Sequence, residues 1–421
     1  MSSFRFIHTA DIHLDSPLKG LTRHEGSAAE QIRSATRTAF DGLITAAIDQ
    51  QVAFVVIAGD LYDGNWRDFS AGLFFSHQMG RLAQAGIRAF VLHGNHDAES
   101  QITKRLELPD TVSVFPYRKP GTFFVKDLKV ALHGQSFPEQ AVTDNLVPEY
   151  PQPVAGHFNI GVLHTGLGGI GEHLNYAPCS LGELIAKGYQ YWALGHVHQG
   201  QVMHQHPHVV FPGNLQGRHI RETGAKGAQL VTVEEGELVE LSTLYTDVVR
   251  WSRVSVPVAG CGGIDDVSGR IRAALERAAG SDGDGRLLAC RVEITGQTSL
   301  HGTLWGATDQ LLAEAQAAAL SLGEDVAWIE KVAIETTPVP AAGDGDPENA
   351  LGALRSLLAE ASRDPDLLAQ LTRELGEFVR KLPPDLRNEV EDPALKAALS
   401  GDYGTVVEQT RDELLAQLEG E

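Results

Sequence analysis

The first 250 or so residues predict an α/β fold, on three observations. Short apolar runs end repeatedly in clusters of Asp, His, Asn and Gly, amphipathic stretches separate the early runs, and a β-rich pattern follows. Residues 4–7 lead to Asp11-x-His13, residues 52–58 to Gly59-Asp60-x-x-Asp63, and residues 87–92 to Gly94-Asn95-His96-Asp97. Between them, residues 28–50 and 69–85 read as helices covering a sheet. Residues 160–163 lead to His164, and 191–194 to Gly195-His196-x-His198. From 123 to about 245 the chain reads as β-rich, with 229–233 and 238–244 pairing as a hairpin turned at Glu235-Gly236. In such folds function gathers where strands give way to loops, so the polar strand ends are the candidate site.

Residues 251–338 read strand, helix, strand, helix, strand, a small α+β domain without a chemical cluster, with 281–285 as a turn. Pro, Ala, Gly and Asp mark 339–349 as a linker. Residues 350–421 are helical by pattern, broken at Pro365, Pro383-Pro384 and Pro393. In this tail Leu351, Leu354, Leu357 and Leu358 make an apolar stripe that packs either on the chain's own core or on a partner.

At 43% hydrophobic and 21% charged, the 421 residues are not a disordered, collagenous or coiled-coil chain. Cys179, Cys261 and Cys290 are too few and too scattered for a disulfide framework or a CxxC site. Asp11, His13 and Asp15 occupy the place where a signal peptide needs an apolar stretch, and no apolar run nears the roughly 20 residues of a membrane helix. A cytoplasmic protein without membrane contact is therefore expected. The net charge of −21 at first sight argues against a polyanionic substrate.

Taken together, the strand ends mix carboxylate, imidazole and one amide, with no thiol. That donor set suits borderline divalent cations such as Mn²⁺, with Mg²⁺, Fe²⁺ or Zn²⁺ as alternatives. In extended chain, Asp11 with His13 and His196 with His198 can each present two ligands on one side. The glycines before Asp60, Asn95 and His196 permit tight turns.

This series, DxH, GDxxD, GNHD, H and GHxH, resembles the calcineurin-like metallophosphoesterases, and within them the SbcD-type, YhaO-like bacterial DNA repair exonucleases. Residues 211–227, FPGNLQGRHIRETGAKG, extend the likeness to YhaO-like members. The resemblance implies a four-layer β-sandwich flanked by helices, a capping domain at 251–338 and a helical tail. It implies that Asp11, His13, Asp60 and His198 hold one metal and that Asp60, Asn95, His164 and His196 hold the second, with Asp60 bridging. His96 is implied as general acid or as stabiliser of transition-state charge, and Asp97 as the residue orienting it. Archaeal and eukaryotic relatives tend to carry His where this chain has Asp63. Its role is open among His96, a water at the metals and its own loop. A homodimer and an SMC-like coiled-coil ATPase partner (SbcC/YhaN-type), docked by the tail, are also implied.

A Mn²⁺-dependent DNA phosphodiesterase, a 3′→5′ exonuclease with endonuclease activity, is the expectation. The alternatives are a phosphoesterase of nucleotides, cyclic nucleotides or phosphoproteins, and a mainly structural subunit of an ATPase complex. Arg218, His219, Arg221 and Lys226 are candidate DNA-phosphate contacts, and a net basic stretch holds Lys104, Arg105, Arg118, Lys119, Lys126 and Lys129. His8, His93 and His133 read as supporting residues near strand ends, His204, His206 and His208 as an exposed hairpin, and Gly166–Gly171 as a chance GxGxxG. Of the charge, 19 basic and 25 acidic residues lie in 1–250, 7 and 12 in 251–340, and 8 and 18 in 341–421. The tail thus holds nearly half of the acidic excess, and two divalent ions would offset most of that in the first part.

Overall fold

Strands buried on both faces read as unbroken apolar runs, and a computed structural model of the protein shows why these are. It describes residues 3–16, 27–63, 69–99, 107–168, 176–339, 357–358, 360–361, 364–382, 390 and 393–419. Two six-stranded sheets face each other. The first holds β1 (Phe4–Thr9), β2 (Phe54–Ala58), β3 (Arg88–Leu92), β4 (Val112–Val114), β11 (Gly227–Glu234) and β12 (Glu237–Tyr245) in the order β12-β11-β1-β2-β3-β4. The second holds β5 (Gly121–Val125), β6 (Val130–Gly134), β7 (Phe158–His164), β8 (Tyr191–Gly195), β9 (Gln201–Gln205) and β10 (His208–Phe211) in the order β5-β6-β7-β8-β10-β9. Strands β1 to β4 run parallel in the first sheet and β6, β7, β8 and β10 in the second, with the remaining strands antiparallel at the edges.

Successive side chains of each strand serve different layers. Phe6, Phe54, Val56 and Phe90 point between the sheets, where Phe6 and Phe54 stack at 5.0 Å and Tyr191 meets Phe6 edge-on at 5.4 Å. Ile7, Val55, Ile57 and Val91 point the other way, onto Phe40, Leu43, Phe75 and Met79 of α1 (Ser27–Asp49) and α2 (Phe69–Gln84). Beyond the second sheet, α4 (Leu181–Ala186) closes a smaller core around Leu184, Trp192 and Leu194, while the short α3 (Asn95–Glu99) follows β3. Helix, sheet, sheet and helix make four layers. The hairpin turns at Glu235 and Gly236, whose φ values of 52° and 88° suit a two-residue turn in the left-handed region.

The chain divides into two compact units, Met1–Arg253 with Ala278–Cys290 and Gly323–Trp328, and Val254–Arg277 with Arg291–Leu322 and Ile329–Glu421. A third sheet has the order β13 (Val249–Pro257), β14 (Leu287–Thr298), β15 (Ala327–Pro338). The second unit includes α5 (Ile264–Ala278), apart from its last residue, α6 (His301–Gly306) and α7 (Thr308–Leu322), followed in the tail by α8 (Pro365–Lys381), α9 (Pro393–Ser400) and α10 (Tyr403–Glu419). Pro365 and Pro393 each open a helix, where a missing N–H costs nothing. Within this unit α10 packs on α6 and α9, whereas α8 buries none of its side chains. Leu357 is exposed. Leu351, Leu354 and Pro383-Pro384 lie outside the described residues. Among the described residues no helix is long and apolar enough to cross a membrane.

Candidate metal centre

The parallel strands β1, β2, β3, β7 and β8 all deliver their C-terminal ends to one rim. The loop after β1 is zipped to the loop after β2 by Asp11 N–H to Gly59 O (3.0 Å) and His13 N–H to Asp60 O (3.0 Å). Asp11, His13, Asp60 and His196 have φ of 51°, 48°, 53° and 98°. Side chains therefore converge through left-handed kinks, a strained conformation that collects at functional sites, and not through the extended i, i+2 geometry the sequence suggested. The glycines are also explained differently. A Cβ at Gly94 would sit 2.3 Å from Asp60 Oδ1, and one at Gly195 would sit 2.0 Å from Ala58 O. Close approach dictates both residues, while Gly59 alone of the three turns at positive φ, 102°.

Three clusters whose atoms lie close enough to hold a metal ion overlap at this rim: Asp11, His13 and His198; His13, Asp60 and His96; and Asp60, His164 and His196. His164 donates Nδ1–H to Ala58 O (3.0 Å), which turns Nε2 toward Asn95 Oδ1 (3.0 Å) and Asp60 Oδ2 (3.3 Å). Burial opposes charge on His164, yet Asp60 and then Asp11 lift its pKa to about 9, so a proton provides positive charge there at pH 7. Burial works against ionised Asp60 too, but His164 and His96 hold it well below the usual carboxylate range. Burial pushes Asp11 up, although its carboxylate accepts the His196 N–H at 3.0 Å.

His13 Nε2 and His198 Nε2 lie 3.2 Å apart, and burial lowers both rings, His13 to about 4. His198 donates Nδ1–H to Glu222 Oε1 (2.7 Å), leaving its Nε2 a bare lone pair. His13 Nδ1 is buried without a hydrogen-bond partner. The His198 Nε2 lone pair, the His13 imidazole beside it and the buried carboxylates form a donor set that fits divalent cations.

Around the ligands, His96 differs from the sequence expectation in its partner. Its Nδ1 is 3.1 Å from Asp63 Oδ1, and Asp63 in turn accepts from Ser16 Oγ (2.7 Å). Asp97 instead accepts the N–H groups of Leu61 (3.1 Å), Tyr62 (2.9 Å) and Gly94 (2.9 Å), clamping two ligand loops together. It stands one residue beyond His96 at the start of α3, so its side chain leaves on another side. Although burial disfavours it, Asp60 and then Asp63 raise His96 to about 9.

Lys226 is buried, and its ammonium donates to His198 O (3.0 Å). Arg218 is largely buried and pairs with Glu222 (3.0 Å). Both support the ligand loop from within; His219, 38% exposed in its side chain, is the more open. Sequence reasoning missed Glu222, which accepts from His198, Arg218 N–H (2.8 Å) and Asn214 Nδ2 (2.9 Å). Its only signal was its place inside the 211–227 segment. His8 bonds Tyr191 OH and Leu194 O, and His133 bonds Thr122 and Asn159, so both are satisfied within the fold. Lys104, Arg105 and part of the Gly166–Gly171 run lie outside the described residues.

Fold, rim and donor set define a class: residues 4–200 match the calcineurin-like phosphoesterases, metallophosphoesterases that bind two divalent metals. More particularly, residues 251–337 match the middle domain of metallophosphoesterase YhaO, so a YhaO-type middle domain accompanies the phosphoesterase. The chain is 36% identical to the metallophosphoesterase YhaO of Bacillus subtilis over 262 residues, 61% of this chain and 64% of that one. It is 25% identical to the DNA double-strand break repair protein Mre11 of Methanopyrus kandleri over 59% of this chain and 58% of that one. To the SbcD component of the SbcCD nuclease of Escherichia coli it is 24% identical, over 58% and 69% respectively. The match thus spans a little under two thirds of the Bacillus relative and about three fifths of the Methanopyrus one.

Proposed function

We propose that the chain is a Mn²⁺-dependent phosphodiesterase acting on DNA, a 3′→5′ exonuclease with endonuclease activity that serves DNA repair. The observation that carries this reading is the adjacency of two clusters, Asp11 with His13 and His198 and Asp60 with His164 and His196, joined by a third that shares His13 and Asp60, which suits two neighbouring ions. Asp11, His13, Asp60 and His198 would hold one, and Asp60, Asn95, His164 and His196 the other. When bound, such a pair supplies charge against the phosphate and acidity to an attacking water. The rest falls to the chain. Asp63, fixed by Ser16, holds His96 through Nδ1 and, after Asp60, favours the protonated ring, which leaves the Nε2 proton for the departing oxygen. The His96 side chain is 36% exposed, so a substrate can reach it. Arg218, Glu222 and Lys226 keep the His198 loop in place.

DNA as substrate is supported by the names of the archaeal and Escherichia coli relatives, one a double-strand break repair protein and the other a component of a nuclease. A homodimer, and a coiled-coil ATPase docked on the tail helices, belong to the same reading; the exposed Phe378 of α8 supports the second. Comparing Mn²⁺-dependent hydrolysis of end-labelled duplex DNA, 2′,3′-cyclic nucleotides and an aryl phosphodiester tests it. Mononucleotides released from 3′ ends are expected; activity confined to the two small substrates overturns the nuclease reading.

A further inference from the structure

The loop 116–120 runs from the end of β4, the neighbour of β3, to the start of β5, which pairs with the end of β6. It therefore crosses from one sheet to the other at the rim that carries the metal centre. Three bonds brace it: Ser136 N–H to Pro116 O (3.0 Å), Ser136 Oγ to Phe115 O (2.7 Å) and Gln135 Nε2 to Tyr117 O (3.1 Å). From this braced loop Tyr117 projects with 39% of its surface exposed.

An exposed tyrosine ordinarily turns freely, but this one does not. Its hydroxyl hydrogen-bonds His93 Nδ1 at 2.6 Å, and His93 is buried immediately before Gly94 and ligand-loop residue Asn95. His93 is itself held, its N–H donating to Ser136 Oγ at 3.1 Å. The ring plane is thus fixed to the loop that presents Asn95. Arg118 and Lys119 follow directly, both exposed and neither paired with a carboxylate among the described residues.

We propose that Tyr117 is a stacking platform for a nucleobase of the strand being cut, and that Arg118 and Lys119 hold phosphates of that strand beside it. This rests on the DNA reading above and adds the residues that grip the polymer. A fixed aromatic face next to two unpaired cations is the arrangement that binds single strands without regard to sequence, since every base has a face to stack and every linkage a charge. It also supplies what the largely buried Arg218 and the buried Lys226 do not, cations open to solvent in a chain of net charge −21.

The test compares kcat/KM for a single-stranded DNA oligonucleotide with that for methyl p-nitrophenyl phosphate, a diester with no base, on the full chain with Mn²⁺. Tyr117→Ala should lower the DNA-to-diester ratio by roughly 5- to 150-fold, mainly through KM for DNA, and Tyr117→Phe should restore most of it. Arg118→Gln with Lys119→Gln should flatten the slope of log Kd for DNA against log salt by about 1.4. An unchanged ratio in Tyr117→Ala, in a chain that cleaves DNA, overturns this proposal alone, as does equal loss on both substrates. A wild-type chain that hydrolyses only the small diester overturns the DNA reading and this proposal with it.

Discussion

Replacing Glu222 with Gln probes how the metal centre is held, because the two oxygens of this carboxylate have incompatible substitutes. Oε1 accepts from His198 Nδ1 at 2.7 Å and Arg218 Nη2 at 3.0 Å, while Oε2 accepts from Asn214 Nδ2 at 2.9 Å and Arg218 N–H at 2.8 Å. A glutamine that keeps its oxygen toward Asn214 and Arg218 turns its NH₂ toward His198. The ring must then accept at Nδ1 and carry its proton on Nε2, the atom facing His13 that would bind the metal. Turned the other way, the NH₂ meets two donors. The side chain is 5% exposed, so water cannot mediate, and among the described residues the remaining ion pair of Arg218 is the longer one to Asp63 at 3.9 Å. Loss of a partner behind a ligating histidine costs about 10- to 100-fold in metal affinity, and breaking a buried ion pair costs about 3–5 kcal/mol of stability. Mn²⁺ titrations of activity should show half-saturation shifted upward by that factor, with kcat recovering at high Mn²⁺; thermal unfolding of the metal-free variant reads the second effect. A folded variant with unchanged Mn²⁺ dependence would refute the reasoning, and lower stability with unchanged Mn²⁺ affinity would reduce Glu222 to a structural role.

Three further outcomes are expected. His96→Ser should lower kcat by about 10²- to 10⁴-fold while two Mn²⁺ per chain stay bound, measured by equilibrium dialysis; loss of metal would contradict its assigned place outside the ligand set. Because His164 stands protonated near neutrality, with a pKa of about 9, metal uptake at pH 7.5 should release at least the proton it carries. Calorimetry in buffers of different ionisation heat measures this, and binding with no buffer dependence would count against it. Burial holds His8 neutral, its pKa lowered from 6.5 to about 3. Here the unfolded chain binds a proton that the folded chain refuses, so stability is full above pH 6.5 and falls toward pH 3, by about 1.4 kcal/mol per pH unit. Urea unfolding of His8→Asn should show a shallower decline; an identical slope would exclude this group.

The part of the centre that could be read from sequence is the part the backbone delivers in order. Strands β2 and β7 are buried along their whole length, so they appear as apolar runs, and the polar residues that end them stand out. What could not be read depends on contacts between distant positions. Asp97 looks like the partner of its neighbour His96, yet its bonds reach back to Leu61 and Tyr62, and Asp63 takes the ring instead. Glu222 is one acid among many until His198 is brought within 2.7 Å of it. Lys226 reads as a basic contact for DNA because nothing local announces that it is buried with its ammonium on His198 O. Tyr117 gains meaning only beside His93.

Anomalous scattering at the manganese edge, from crystals grown with Mn²⁺, tests the central claim of a dinuclear centre most directly. Two peaks are predicted, one amid Asp11, His13 and His198 and one amid Asn95, His164 and His196, with Asp60 reaching both. A single peak, or manganese bound away from this rim, would contradict the account.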